Sequence, residues 1–88
     1  MTPIDTLIAS LRERGKRISD FSNHDRLVPM TRITWRHDRH TVACVYGYRV
    51  LNGEPVSLGY PDKIECWYID KGSEPRAMTV DEILDAYA

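Results

Sequence analysis

The sequence is poor in the features that announce a function. It carries two cysteines, one phenylalanine and a net charge of only −1 over 88 residues. No apolar run approaches the roughly 18 residues that a membrane-spanning helix needs. Asp5 precedes any positive charge and no long apolar stretch follows it, so the start of the chain does not read as a signal peptide. These absences predict a cytoplasmic protein with no membrane partner.

Catalytic signatures are missing too. There is no phosphate-binding glycine loop, no G-x-S-x-G and no H-E-x-x-H. Cys44 and Cys66 lie in strand-like runs, away from any helix start or cluster of fixed positive charge that would activate a thiol. They read as reduced, packed thiols in a reducing compartment, with a disulfide left open if their strands are neighbours. His37, His40 and Cys44 have the spacing H-x2-H-x3-C, but zinc usually takes four ligands, and His24 and Cys66 are distant in sequence. The histidines therefore read as loop residues. A domain of this size buries only roughly 60–65% of its unfolded surface and leaves little room for a substrate pocket. The expectation is a single domain that is not an enzyme and holds no metal or cofactor.

What is present is a pattern of elements. Thr2 can cap a helix, Pro3 suits its first turn, and Ile4, Leu7, Ile8 and Leu11 recur on one face. Arg12, Glu13 and Arg14 close it and Gly15 stops it, so a helix is expected over Pro3–Arg14. Ser19, Asp20, Ser22, Asn23, His24 and Asp25 read as loop formers, with Ile18, Phe21, Leu27 and Val28 pinning that loop to the body. From Thr31 the period becomes two. The runs 31–36 and 42–48 alternate, joined by the polar loop His37-Asp38-Arg39-His40, and Arg36 should pair with Thr41.

Asn52-Gly53 marks a second hairpin. A two-residue turn pairs Leu51 with Glu54. A three-residue loop with Gly53 in the left-handed position pairs Val50 with Glu54. Only the second gathers Ile33, Trp35, Val42, Cys44, Tyr46, Tyr48, Val56, Leu58 and Tyr60 on one face, so the burial pattern favours it. Pro61 sets a turn before a strand over 63–70 that is apolar on both faces. Arg76-Ala77-Met78 fits a short edge strand, and Thr79-x-x-Glu82 is a capping box opening a second amphipathic helix. The expected fold is α+β: an antiparallel four- to five-stranded meander with an N-terminal and a C-terminal helix on one face.

Charge is unevenly spread. Residues 1–40 hold eight Lys/Arg against five Asp/Glu, and residues 41–88 hold four against eight. Arg12, Arg14, Lys16 and Arg17 crowd the end of the first helix, and Arg32, Arg36 and Arg39 lie on or beside the first hairpin. Surplus aromatics accompany them, with Trp67 the one expected on the surface or at an edge. Aromatics and arginines are enriched where proteins bind each other. The leading expectation is therefore a small protein-binding module contacting another protein or assembly through Trp67, Arg32, Arg36, His37, Arg39 and His40. The alternative is a nucleic-acid-binding domain using Arg12, Arg14, Lys16, Arg17, Arg36 and Arg39, although the pI of about 6.3 is low for one. A homodimer is compatible with either.

Cys66-Trp67-Tyr68-Ile69 followed by Met78-Thr79-Val80-Asp81-Glu82-Ile83 resembles the end of WYL-type ligand-sensing domains. Ile69 stands where that family has leucine, and its later arginines have a counterpart only in Arg76, so no assignment is built on it. In size and style the chain also resembles compact accessory proteins of phages and mobile elements, which often inhibit host machinery by surface binding. That analogy concerns the fold level alone.

Overall fold

A computed structural model describes residues 2–20 and 31–88. The expectations for Phe21, Leu27, Val28 and the polar residues Ser22 to Asp25 fall outside the described residues.

Helix α1 spans Pro3–Glu13 and starts in a full capping box. The Thr2 side chain accepts from the Asp5 backbone N–H, and Asp5 Oδ2 accepts from the Thr2 backbone N–H at 3.1 Å. This satisfies two of the donors that every helix start leaves over. Gly15, at φ 77°, ends the helix in the left-handed region that glycine enters without strain. Ile4, Leu7 and Leu11 are buried, as their spacing predicts.

Five strands form one antiparallel sheet: β1 (Ser19–Asp20), β2 (Thr31–His37), β3 (His40–Tyr46), β6 (Ile64–Tyr68) and β7 (Arg76–Met78), in that order across the sheet. Among the described residues, strands β4 (Tyr48–Leu51) and β5 (Glu54–Ser57) pair only with each other. Helix α2 (Val80–Tyr87) follows, opened by the Thr79–Glu82 capping box. The expected α+β architecture with two terminal helices on an antiparallel sheet is thus the observed one. Among the described residues, no helix is long and apolar enough to cross a membrane.

Three expectations are corrected. Ser19 and Asp20 are not loop but edge strand, paired with Thr34 and Ile33. The first hairpin pairs Arg36 with Thr41 as expected, yet His37 also pairs with His40, leaving a two-residue turn rather than a four-residue loop. The second hairpin takes the register rejected above: Leu51 pairs with Glu54, and Asn52 (φ 51°) with Gly53 (φ 81°) make a two-residue turn of the kind that needs positive φ at both positions.

The third correction has a structural cause. Gly47, at φ 91°, breaks the run 42–48, so β4 leaves the sheet instead of continuing β3. The burial argument for the other register assumed that Tyr48, Val56, Leu58 and Tyr60 share the main core. They do not: Val56 and Tyr60 are 38% and 44% exposed. Freed from that requirement, the local preference of Asn-Gly for a two-residue turn sets the register.

The core lies between the helices and the sheet. Ile4, Leu7, Leu11, Ile33, Trp35, Val42, Cys44, Ile64, Cys66, Met78 and Ile83 form one cluster, with Ile18, Tyr46 and Tyr87 packed against it. Trp35 contributes more than area. Its Nε1–H donates to the Tyr87 carbonyl at 2.8 Å, satisfying one of the last carbonyls of α2, which have no partner within the helix. Trp35 therefore latches the C-terminal helix to β2.

Two substitutions test this account by urea denaturation. Leu7→Ala, at a fully buried position, is expected to lower stability by about 2–5 kcal/mol. Gly53→Ala meets no neighbouring atom but must hold φ at 81°. It is expected to lose about 1–2 kcal/mol, with the m-value unchanged.

Candidate functional site

Strand alternation divides the arginines from the histidines. Residues directly opposite in an antiparallel pair share a face. Ile33, Trp35, Val42, Cys44, Ile64 and Cys66 face the helices, so Arg32, Thr34, Arg36, Thr41, Ala43, Val45, Glu65 and Trp67 face the other way. The register lines these up in rows. Arg32, Val45 and Glu65 form one, and Thr34, Ala43 and Trp67 the next. Arg36 and Thr41 begin the third. Trp67 therefore lies two strands, about 10 Å, from β2, in the row between the two arginines. The middle of this far face is buried, with Ala43 0% and Glu65 8% exposed. Arg32 and Arg36 are exposed and Trp67 half-buried. Of the two placements expected for Trp67, surface or edge, the edge is not taken, since β6 is an interior strand; the side chain is half-buried on its face.

Arg36 is held in place. Its Nη1 donates to Thr41 Oγ1 at 3.1 Å and its Nη2 to the Arg39 carbonyl at 2.9 Å. A guanidinium has five N–H donors in a rigid fork, so this anchoring leaves donors for a carboxylate or phosphate. Arg39 occupies the second turn position at φ 67°, beside Asp38 at 49°. Neither residue type favours that conformation as glycine does. A turn built from Asp-Arg rather than Asn-Gly gives up stability, and it puts a cation at the tip of the hairpin.

His37 and His40 belong elsewhere. By the same alternation they lie on the helix-facing side, beyond the core. His40 Nδ1 is 3.4 Å from Asp70 Oδ2, and its ring meets Tyr68 edge-on at 5.5 Å between centroids. Tyr68 in turn meets Tyr87 edge-on at 4.9 Å, and Lys71 Nζ lies 5.0 Å above the Tyr68 ring. The structure thus brings Arg32, Arg36 and Trp67 to one face, puts Arg39 on the turn, and assigns the histidines to a separate cluster. The H-x2-H-x3-C residues do not converge either. His40 and Cys44 are four residues apart along one strand, about 14 Å, whereas ligands of one zinc ion sit about 2 Å from it.

Asp70 secures the hairpin from the turn after β6. Its Oδ2 accepts from the Thr41 backbone N–H at 3.1 Å. Partial burial pushes its carboxyl up, but hydrogen bonds from the Thr41 and Asp70 backbone N–H groups, with His40 beside it, outweigh this and hold it below the ordinary carboxylate range.

The cationic end of α1 reaches the same region. Residues 14–18 link α1 to β1, whose Ser19 pairs with Thr34, two residues from Arg36. Arg12, Arg14 and Arg17 are exposed and Lys16 half-buried there. Across the sheet, Glu74 just before β7 and Asp81 and Glu82 at the start of α2 are exposed, as is Arg76 of β7.

Sequence reasoning missed one feature. Ile4, Thr31, Tyr46, Tyr48, Tyr60 and Pro61 line an open cleft of about 550 Å³ between the start of α1 and the base of the β4–β5 ribbon. Tyr46 Oη donates to the Pro61 carbonyl at 2.9 Å across it. The available signal was glycine: Gly47 and Gly59, both at positive φ, flank the ribbon, and Tyr48 and Tyr60 beside them stay outside the main core while Tyr46 packs against it.

No family model matches the chain, and no curated protein or solved structure shows significant similarity to it.

Two measurements probe the site. Arg39→Gly relieves the left-handed φ and is expected to raise stability by about 1 kcal/mol; unchanged or lower stability would mean the turn is not strained. The lowered pKa of Asp70 means that its contribution is complete above the ordinary carboxylate value of about 3.9. The contribution is lost as pH falls through the lower, folded value. The gap in urea midpoint between the native chain and Asp70→Asn should therefore be constant near neutrality and shrink below about pH 4.

Proposed function

We propose that this chain is a non-enzymatic protein-binding module of the cytoplasm, and that it regulates or inhibits a larger assembly in the manner of phage and mobile-element accessory proteins. The contact surface is the accessible part of the sheet face away from the helices, Arg32, Arg36 and half-buried Trp67, together with Arg39 at the tip of the first hairpin. The observation that supports this most is the anchored Arg36 guanidinium, exposed on the same sheet face as Arg32, close to strained Arg39 and one row from that of Trp67. A preorganised arginine on the same face as a half-buried indole two strands away suits a partner that offers carboxylates around an apolar centre. His37 and His40, on the other side of the hairpin, belong to the rim at most.

The nucleic-acid reading draws on the same edge, since the end of α1 adds Arg12, Arg14, Lys16 and Arg17 to Arg36 and Arg39. The two readings separate by experiment. Partners captured by the tagged chain should be lost, at least tenfold, with Arg36→Ala and with Trp67→Ala, while each variant keeps its cooperative unfolding. Capture unaffected by both substitutions would remove this surface. Single-stranded and duplex oligonucleotides titrated at low salt, where phosphate contacts are strongest, should show no binding. Salt-sensitive binding lost with Arg14→Ala and Arg36→Ala would establish the alternative instead.

A further inference from the structure

The structure brings the two cysteines together. Cys44 of β3 and Cys66 of β6 are direct register partners. They are free thiols, both fully buried, and Cys44 Sγ donates to Cys66 Sγ at 3.0 Å. The ladder fixes what kind of pair they are. The Ile69 backbone N–H donates to the Thr41 carbonyl, which makes Thr41 and Ile69 a hydrogen-bonded pair. Pairs alternate in an antiparallel ladder, so Val42–Tyr68 is non-bonded, Ala43–Trp67 bonded and Cys44–Cys66 non-bonded. Non-bonded pairs bring their Cα atoms to about 4.5 Å, inside the range that a disulfide spans.

The pair also sits at a particular place. Cys44 comes just before the chain leaves the sheet and Cys66 just after it returns, so the two enclose the β4–β5 ribbon and most of the tyrosine cleft.

We propose that Cys44 and Cys66 form a reversible dithiol–disulfide pair, closed by a low-molecular-weight disulfide such as oxidised glutathione, that clamps the base of the ribbon without rearranging the sheet. In the first step one protein thiolate attacks a sulfur of glutathione disulfide, breaking its S–S bond and releasing one glutathione thiol. In the second the other protein thiolate attacks the mixed disulfide and releases the second glutathione. The protein loses two protons and two electrons, and the oxidant becomes two thiols. Burial, then the hydrogen bond to Cys66 and the charge of its thiolate, hold the Cys44 thiol well above its ordinary range. The reaction therefore proceeds through transient opening of the β3–β6 pair and is slow while the sheet is closed.

The test uses the full chain under native conditions in excess oxidised glutathione, quenched in acid and read by intact mass and peptide mapping. The expected product is a monomer lighter by two hydrogen atoms, with the peptides holding Cys44 and Cys66 linked, and fully restored by dithiothreitol. Because the new bond closes a long loop in the unfolded chain, its melting temperature should exceed that of the reduced form by about 10 °C or more. Cys66→Ala should show no such rise. Persistence of two free thiols, glutathione adducts as the end state, bonds between chains, or an internal disulfide that melts at or below the reduced form would each overturn the proposal.

Discussion

Everything in this fold depends on β3 pairing with β6. The two strands are separated in sequence by a ribbon that contributes no strand to the main sheet, so their pairing closes a long loop before any local contact rewards it. The core makes that closure favourable. Val42 and Cys44 from β3, with Ile64 and Cys66 from β6, supply four of the side chains beneath the helices, and fully burying each such side chain is worth about 1.5–3 kcal/mol. The pairing extends the β2–β3 hairpin into a sheet wide enough to support α1 and α2 on one face. It also leaves Trp67 on the other face, in register with the row between Arg32 and Arg36.

Polar contacts then fix the ends of this framework. Trp35 ties the last turn of α2 to β2, Asp70 ties the end of β6 to the start of β3, and Arg36 ties the hairpin to its own turn. The consequence is that the Arg36 guanidinium is placed rather than loose. Exposed arginines gather at the end of α1 and on the first hairpin although the molecule is nearly neutral overall. The net charge of −1 conceals this.

Local signals were readable from sequence wherever local physics decides the outcome. The capping residues Thr2 and Thr79, the stop at Gly15, the Arg36–Thr41 pairing and the edge strand at Arg76–Met78 all follow from spacing and side-chain chemistry. The failures share one cause. The sequence reading assumed a single core that every apolar strand must join, and so it overrode the plain Asn52-Gly53 turn signal to bring Val56 and Leu58 inside. Gly47 ends β3, and no periodicity argument can tell a glycine that a strand tolerates from one that terminates it. The site was half legible for a related reason. Alternation along β2 gives the face of Arg32 and Arg36, but joining Trp67 to them needs the β3–β6 register. The separation of His37 and His40 needs the turn to be two residues long rather than four.

The ribbon between Gly47 and Leu58 bears on how this fold can change. Among the described residues its strands pair only with each other, and its tip lies on the loop that the β3–β6 pairing has already closed. The entropy of closing a loop grows only with the logarithm of its length, about 0.6 kcal/mol for each doubling. Residues added between Asn52 and Gly53 therefore weigh little on the sheet, whereas a single residue added within β3 or β6 would turn every following side chain to the wrong face. The scaffold thus has one segment in which length and composition are free to vary, set beside five strands in which they are not.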